Sequence, residues 1–384
     1  MSEKRKANKG RILKAGESQR KDGIYMYRYA DIRGKRRYIY SPTLDGLREQ
    51  ENDVQRDVND GIDCSAGEIT VIELLKRYMG MKRGLSVNTL DSYGAMINQI
   101  SRDEIGLRQI KSIKPSEVKN WFLMMHDNGL KRGSLIAFQN LIRPAFEMAV
   151  EDDIIRKNPF RLRLSDFIPQ DATKRQALTK VQQEQYLSFV LEDNGNFYDD
   201  IVILIGTGIR VSELYGLTEP DIDFENRCVK VRRQLCHIAR IPYFVTTPKS
   251  ESGIRDIPMT QKVYEAFRRV IQNRGKPKIE MVIDGYGGFI FLNIKGRPKV
   301  AIHLENYMAR ITKEYVKKHG NTLPKVTPHV LRHTFCTNAQ QAGIDIKSLQ
   351  YLMGHTNASI SLDVYSHVDY HAVVNAFGKV AADL

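Results

Sequence analysis

Between Ile24 and Tyr40 the side chains change character at every second residue; after Thr43 they do so at every third or fourth. A period of two marks a strand with one face covered, and a period near 3.6 marks a helix. The chain therefore passes from a small sheet into helices at Ser41-Pro42-Thr43. Tyr25, Tyr27 and Tyr29 share one strand face, opposite Ile24, Met26 and Arg28. Asp31 to Gly34 reads as a turn. Arg36, Tyr38 and Tyr40 then alternate with Lys35, Arg37 and Ile39, and Arg11-Ile12-Leu13 is a weaker strand candidate upstream. Leu44, Leu47, Val54 and Val58 recur at helical spacing. A small sheet backed by one helix is expected over residues 1–66, with residues 1–10 disordered because they are charged and carry no apolar pattern.

Helical signals dominate from there. Asp60-Gly61 to Gly67 reads as a linker, and Thr70-Val71-Ile72-Glu73 is a capping box that turns Val71, Leu74, Leu75 and Tyr78 inward. Ser86 starts a second helix with Leu90, Tyr93, Ile97 and Ile100 on one face. A third follows Pro115, with Val118, Trp121, Phe122 and Met125; a fourth follows Ser134 and should bend at Pro144. Four helices in about a hundred residues make an all-α bundle, here over residues 67–165. The polar stretch Arg156 to Arg175, with Pro159 and Pro169, reads as a linker between two halves. A last domain, residues 166–384, begins with a capping box at Thr179-Lys180-Val181-Gln182. It should hold a buried helix from Tyr198 to Ile205 and one small antiparallel sheet built from Cys228 to Leu235, Tyr243 to Thr246 and Ile254 to Ile257. The expected fold is multidomain and mainly α with small β-sheets, ending in a mixed α/β, mostly helical domain.

Charge narrows the partner. The net charge is +14, and residues 1–40 hold 13 Lys/Arg against 4 Asp/Glu, a local +9. Clustered cations predict a polyanion, most simply nucleic acid. Arg28, Arg36 and Arg37 are the candidate DNA contacts of the sheet, whose size suits a major groove. Lys82-Arg83 and Lys131-Arg132 precede helix starts, which pairs cations with helix N-termini and suits phosphate contacts. The four cysteines match neither a zinc site nor a disulfide framework. With no apolar run long enough to span a bilayer and no signal peptide, the expected location is a reducing cytoplasm, with no membrane partner.

The chemistry concentrates late in the chain. Thr327 and Pro328 read as the cap and first residue of a helix carrying His329 and Arg332 one turn apart. Gly354-His355 and then Tyr365 follow. Two histidines, an arginine and a tyrosine suggest a phosphate held by cations beside a phenolic nucleophile. The motifs H-x-x-R, G-H and a tyrosine ten residues on are joined upstream by Thr207-Gly208-Ile209-Arg210-Val211-Ser212-Glu213-Leu214 and by a lysine segment, Thr247 to Arg255. In that order they resemble the tyrosine recombinase (phage integrase) family, strongly from Ala177 to Tyr365. The basic N-terminal sheet is similar to the arm-type DNA-binding domain of integrases from phages and conjugative transposons, and the bundle takes the place of the core-binding domain.

The resemblance implies a site-specific recombinase that integrates and excises a mobile element through a 3′-phosphotyrosine, without ATP, metal or cofactor. It implies six catalytic residues. Tyr365 is the nucleophile, and Arg210 and Arg332 clamp the non-bridging oxygens, for which a planar, always-charged fork is suited. Lys249, on a hairpin, protonates the departing 5′ oxygen. His329 takes the tyrosine proton or holds a phosphate oxygen, His355 donates to the same phosphate, and Glu213 orients a neighbouring cation. Implied partners are double-stranded DNA at core and arm sites, a homo-tetramer on DNA joined by an exchanged C-terminal tail, and a small excisionase or DNA-bending protein. The apolar stripe Val373, Phe377 and Val380 suits that tail. Two rivals remain: a type IB topoisomerase and a non-enzymatic DNA-binding regulator that keeps the fold. The basic sheet argues against the first, the complete residue set against the second.

Overall fold

The protein is represented by a computed structural model that describes residues 6–7, 10–63, 66–171, 176–193, 195–239, 241–248 and 251–355. The chain divides into two compact units, Met1–Ala172 and Thr173–Leu384.

The first unit opens with an antiparallel sheet in the order β1 (Glu17–Gln19), β2 (Tyr25–Ala30), β3 (Arg36–Ser41), followed by helix α1 (Leu44–Asn59). Thr43 caps α1 by accepting from the Gly46 N–H at 3.2 Å. The alternation places Tyr25 and Tyr27 in a small core with Leu44 and Leu47. The expected strand at Arg11-Ile12-Leu13 does not form: Ile12 makes one bridge to Lys6 and is half exposed, while Arg11 reaches out to Asp45. The third strand is β1 instead. Its Glu17 is fully buried, a residue that hydropathy would place outside. Arg48 holds it at 2.9 Å and the Lys14 N–H at 2.6 Å, as a buried charge requires. Ordered structure also reaches into the segment expected to be disordered, since Ala7 is small enough to bury in this core and donates to the Arg11 carbonyl at 2.9 Å; residues 1–5 and 8–9 lie outside the described residues.

The bundle comprises α2 (Val71–Met81), α3 (Val87–Ile100), the one-turn α4 (Glu104–Leu107), α5 (Pro115–Asp127) and α6 (Arg132–Glu151). The capping box at α2 is complete: Thr70 Oγ1 accepts from Glu73 N–H, and the Glu73 carboxylate from Thr70 N–H at 2.7 Å. Trp121, Phe122, Phe138 and Phe160 pack together at the centre of a core separate from that of the sheet. Helix α3 buries less than its stripe implied, with Leu90 exposed and only Ile100 fully buried. Helix α6 runs on through Pro144. The stretch after Arg156 is not a free linker, because Phe160, Leu164 and Ile168 are buried and Gln139 donates to the Phe160 and Leu162 carbonyls at 3.1 and 2.8 Å. Arg156 itself reaches Asp57 on α1 at 2.7 Å. Residues 172–175 lie outside the described residues.

The second unit is built on α7 (Lys180–Glu192), α8 (Tyr198–Thr207) and α9 (Val211–Tyr215), then β4 (Ile222–Asp223), β5 (Cys228–Val231), β6 (Gln234–Cys236), β7 (Phe244–Thr246) and β8 (Arg255–Pro258), then α10 (Gln261–Gln272), α11 (Ala301–His319), α12 (Pro328–Gln341) and α13 (Ile346–Met353). Helices α10 and α12 pack on α8, whose Ile201, Ile203 and Leu204 are fully buried. The expected single sheet is two, β4-β5-β8 and β6-β7. The break falls at Arg232 and Arg233, which leave the strand to pair with Asp256 and Asp221. No described helix is long and apolar enough to cross a membrane.

Glu51 of α1 is buried beside Glu17, and its Oε2 meets no donor. Burial first, and then repulsion from Glu17, hold the Glu51 carboxyl above its ordinary value. A carboxyl raised in the folded state loses stability as pH climbs from its unfolded value, about 4.3, through the folded one. Glu51→Gln should therefore raise the thermal midpoint at pH 7.5, and that gain should vanish near pH 4. Equal shifts at both pH values, read by scanning fluorimetry, would exclude charge as the cause.

Candidate active site

Three stretches far apart in sequence meet at one cluster of guanidiniums and carbonyls. The first is the end of α8, where Gly208 takes a left-handed φ of 62° and caps the helix. A side chain there would collide with Phe335 of α12, since a Cβ would lie 2.3 Å from its ring. The chain then turns into α9 with Arg210 as N-cap and Glu213 three residues on. Glu213 accepts from the Arg210 backbone N–H at 3.0 Å and from its Nη1 at 2.7 Å. The second stretch is α12, capped by Thr327 with Pro328 at its first position. Its Arg332 is buried and donates to the Gly208 carbonyl at 2.5 Å and to the Met353 carbonyl. The third is the end of α13, where Gly354 has φ 60° and its carbonyl accepts from Arg210 Nη2 at 3.2 Å.

His355 follows directly. It is half-buried, and its backbone N–H and carbonyl are both tied to Gln350, at 3.1 and 3.0 Å. Burial, then the charges of Arg332 and Arg210, push its imidazole down to about 4, so the ring is neutral at pH 7. Burial and then Arg210 lower the Arg332 guanidinium to about 9, which leaves it charged at neutral pH. Burial pushes the Glu213 carboxyl up, but Arg255 and Arg210 outweigh it and hold it ionised, below its ordinary value. The cluster thus holds three guanidiniums against one carboxylate, an arrangement that attracts an anion.

Arg255 is the member that sequence reasoning missed as a site residue. On β8 its side chain is completely buried, 2.8 Å from Glu213 Oε2. The available signal was its phase, since Arg255 shares the inward face of β8 with Ile257. His329 stands one turn before Arg332 but is exposed in the first turn of α12, whereas Arg332 is buried. Lys249 and Tyr365 lie outside the described residues, as does the stripe Val373, Phe377 and Val380.

The candidate DNA contacts fall on distinct surfaces of the first unit. Arg28 is exposed on the sheet face away from α1, opposite Tyr38 in register, and Arg36 is exposed on the same face. Arg37 points to the other face, 3.1 Å from Asp31, because it is one residue out of phase. Lys82 lies over the Tyr78 ring, and Arg83 turns back on the Gly80 carbonyl at 2.6 Å; both are exposed. Lys131 is the N-cap of α6, and the Arg132 N–H donates to Asp171 at 3.1 Å.

Residues 176–372 match the phage integrase family, and residues 1–58 match the DNA binding domain of tn916 integrase. The chain belongs to the phage integrase family. It is 40% identical to the transposase from transposon Tn1545 of Streptococcus agalactiae, over 97% of this chain and 96% of that protein. The same identity and coverage relate it to the transposase from transposon Tn916 of Enterococcus faecalis. In structure it is similar to a fragment of the Tn1549 transposon integrase solved in complex with a circular intermediate DNA, with a TM-score of 0.76, 39% identity, and coverage of 81% of this chain and 99% of that one. The lambda integrase shares the fold, at a TM-score of 0.57 and 17% identity. This family member is a site-specific DNA recombinase of the integrase type that conjugative transposons carry, acting in the integration and excision of such an element.

The electrostatics of this integrase site are measurable. In the free protein the His355 ring should titrate near pH 4 by NMR, and its midpoint should rise when DNA binds, because a phosphate offsets the guanidinium charge. A free-protein midpoint near the ordinary value of about 6.5 would mean that the ring is neither buried nor held against the guanidiniums.

Proposed function

We propose that this recombinase cuts one DNA strand by attack of Tyr365 on the scissile phosphorus. A 3′-phosphotyrosine forms as the 5′ oxygen departs, and the strand is rejoined by the reverse transesterification. The convergence of Arg210 and Arg332, 122 positions apart in the chain, on the carbonyls of Gly208, Met353 and Gly354 carries this reading. Attack adds negative charge to the non-bridging oxygens, and fixed guanidiniums stabilise it without reorganising. Glu213 orients Arg210. His355, neutral and half-buried, is suited to donate to a phosphate oxygen, while His329 accepts the tyrosine proton or holds a second oxygen. Lys249 supplies the proton for the leaving 5′ oxygen. Tyr351, the nearest competing tyrosine upstream, has its hydroxyl engaged as acceptor of the Asp256 N–H at 3.1 Å.

The same reading assigns residues 1–66 to arm-site binding, 67–165 to core-site binding and 166–384 to catalysis. Lys82, Arg83, Lys131 and Arg132 then contact the core-site backbone. Exchange of both strands of two duplexes requires four cuts, which a homo-tetramer on DNA supplies, its C-terminal tails passing between protomers. A small excisionase or DNA-bending protein sets direction, and the work is done in the cytoplasm, where the DNA is.

Tyr365→Phe should bind its core site normally and leave no protein–DNA adduct after denaturation; an adduct in that variant would assign the nucleophile elsewhere. On the sheet, Arg28→Ala and Arg36→Ala should each flatten the salt dependence of arm-site binding by about 0.9 of a log–log slope unit, one lost phosphate contact. Arg37→Ala should leave that slope nearly unchanged, because its guanidinium is turned to Asp31. An equal loss for all three would show that the open face is not the contact surface.

A further inference from the structure

The Arg255 guanidinium draws its acceptors from three chain segments. Nη2 donates to Glu213 Oε2 at 2.8 Å, Nε to the Leu352 carbonyl at 2.7 Å and Nη1 to the Gly253 carbonyl at 3.1 Å. No part of its side chain reaches solvent. Burying a guanidinium and a carboxylate costs several kcal/mol per ion, and apolar residues of similar volume often serve stability as well or better. A fully buried pair beside a reactive site therefore calls for a role other than cohesion.

The geometry supplies that role. Glu213 is shared: Oε2 meets Arg255, and Oε1 meets Arg210 at 2.7 Å. Gly354 is also shared. Its carbonyl accepts from Arg210, and on its other side a Cβ would lie 3.0 Å from Arg255 Nη1 and 3.1 Å from the Ser252 carbonyl. Glycine is thus required there twice, by its φ of 60° and by the close approach of the guanidinium. The Asp256 N–H adds a second tie from β8 to α13 through the Tyr351 hydroxyl at 3.1 Å. Moving Arg255 would move both the carboxylate that aims Arg210 and the turn that presents His355.

We infer that Arg255 is a positioning residue for strand cleavage, the buried cation that keeps Arg210, Glu213 and the Gly354-His355 turn in one register. The inference rests on the reading of Arg210 and His355 as phosphate-binding groups. Arg255 touches no reacting atom; it acts by holding Glu213 ionised and in place. The charged or titratable groups facing Glu213 are Arg210, Arg255, Arg332 and His355. Removing Arg255 leaves a buried carboxylate with less compensation, so Glu213 should take up a proton at higher pH and loosen its hold on Arg210.

The test is single-turnover cleavage of a nicked core-site substrate by the full chain from pH 5.5 to 8.5, with core-site affinity and the thermal midpoint as checks of folding. Arg255→Met should cleave about a hundredfold slower at pH 7, the scale for misplacing a catalytic group by about 1 Å. Relative to the parent, its rate should show an additional fall toward acid pH. Adding Glu213→Gln to Arg255→Met should remove the acidic fall, and the double variant should be no slower than the slower single one. Arg255→Lys, which keeps the charge but not the three-way donation, should be slower than the parent without acquiring the acidic fall. If Arg255→Met cleaves within twofold of the parent, or if its defect is independent of pH and adds to that of Glu213→Gln, the inference is overturned. Should Arg255→Met fail to fold, a rate for Arg255→Lys within twofold of the parent overturns it equally. Tyr365→Phe run alongside separates the two readings: an adduct persisting there sinks the catalytic assignment itself, whereas its loss together with parental cleavage by the Arg255 variants sinks only the positioning role.

Discussion

One buried carboxylate, Glu213, decides how two cations are arranged. Arg210 and Arg255 both reach it, at 2.7 and 2.8 Å, and they outweigh the burial that pushes its carboxyl up. Held charged between two guanidiniums, it fixes the direction of the more exposed one and neutralises the deeper one. Without it Arg210 and the buried Arg255 would repel one another, and such interactions are stronger away from water. Helix α9, strand β8 and the end of α13 are thus bound to one another by charge as well as by packing.

Arg332 is satisfied differently. Its partners are backbone carbonyls, those of Gly208 and Met353, at the C-terminal ends of α8 and α13. The last carbonyls of a helix have no intrahelical partner and carry the negative end of its dipole. Two helix ends aimed at one guanidinium compensate its burial without a carboxylate, which would compete with a phosphate for the same donors. The left-handed glycines that end these helices, Gly208 and Gly354, let the chain leave each helix steeply enough to bring Arg210 and His355 to the same place.

Period and capping signals revealed the elements wherever local physics decided them. The tyrosine alternation in β2, the capping box at Thr70 and the Thr327-Pro328 start of α12 formed as read. Reading faltered where a polar residue was buried or an apolar one was covered from afar. Glu17 hid a strand because its carboxylate is buried on Arg48. Phe160, Leu164 and Ile168 turned an expected linker into part of the bundle. Arg232 and Arg233 divided one expected sheet in two. In each case the deciding partner lies far away in sequence, where periodicity has no reach.

The sequence by itself determined the elements, the order of the motifs and the kinds of charge available, since these rest on local spacing and on side-chain chemistry that no fold alters. Which of those charges meet was settled by tertiary structure alone. That Arg255 is buried on Glu213 while Arg37 turns away from the open sheet face, that Arg332 lies inside while His329 one turn earlier lies outside, and that His355 is neutral, all depend on what packs against each residue. Desolvation and Coulomb interaction act through space, so residues more than a hundred positions apart can set one another's charge and direction.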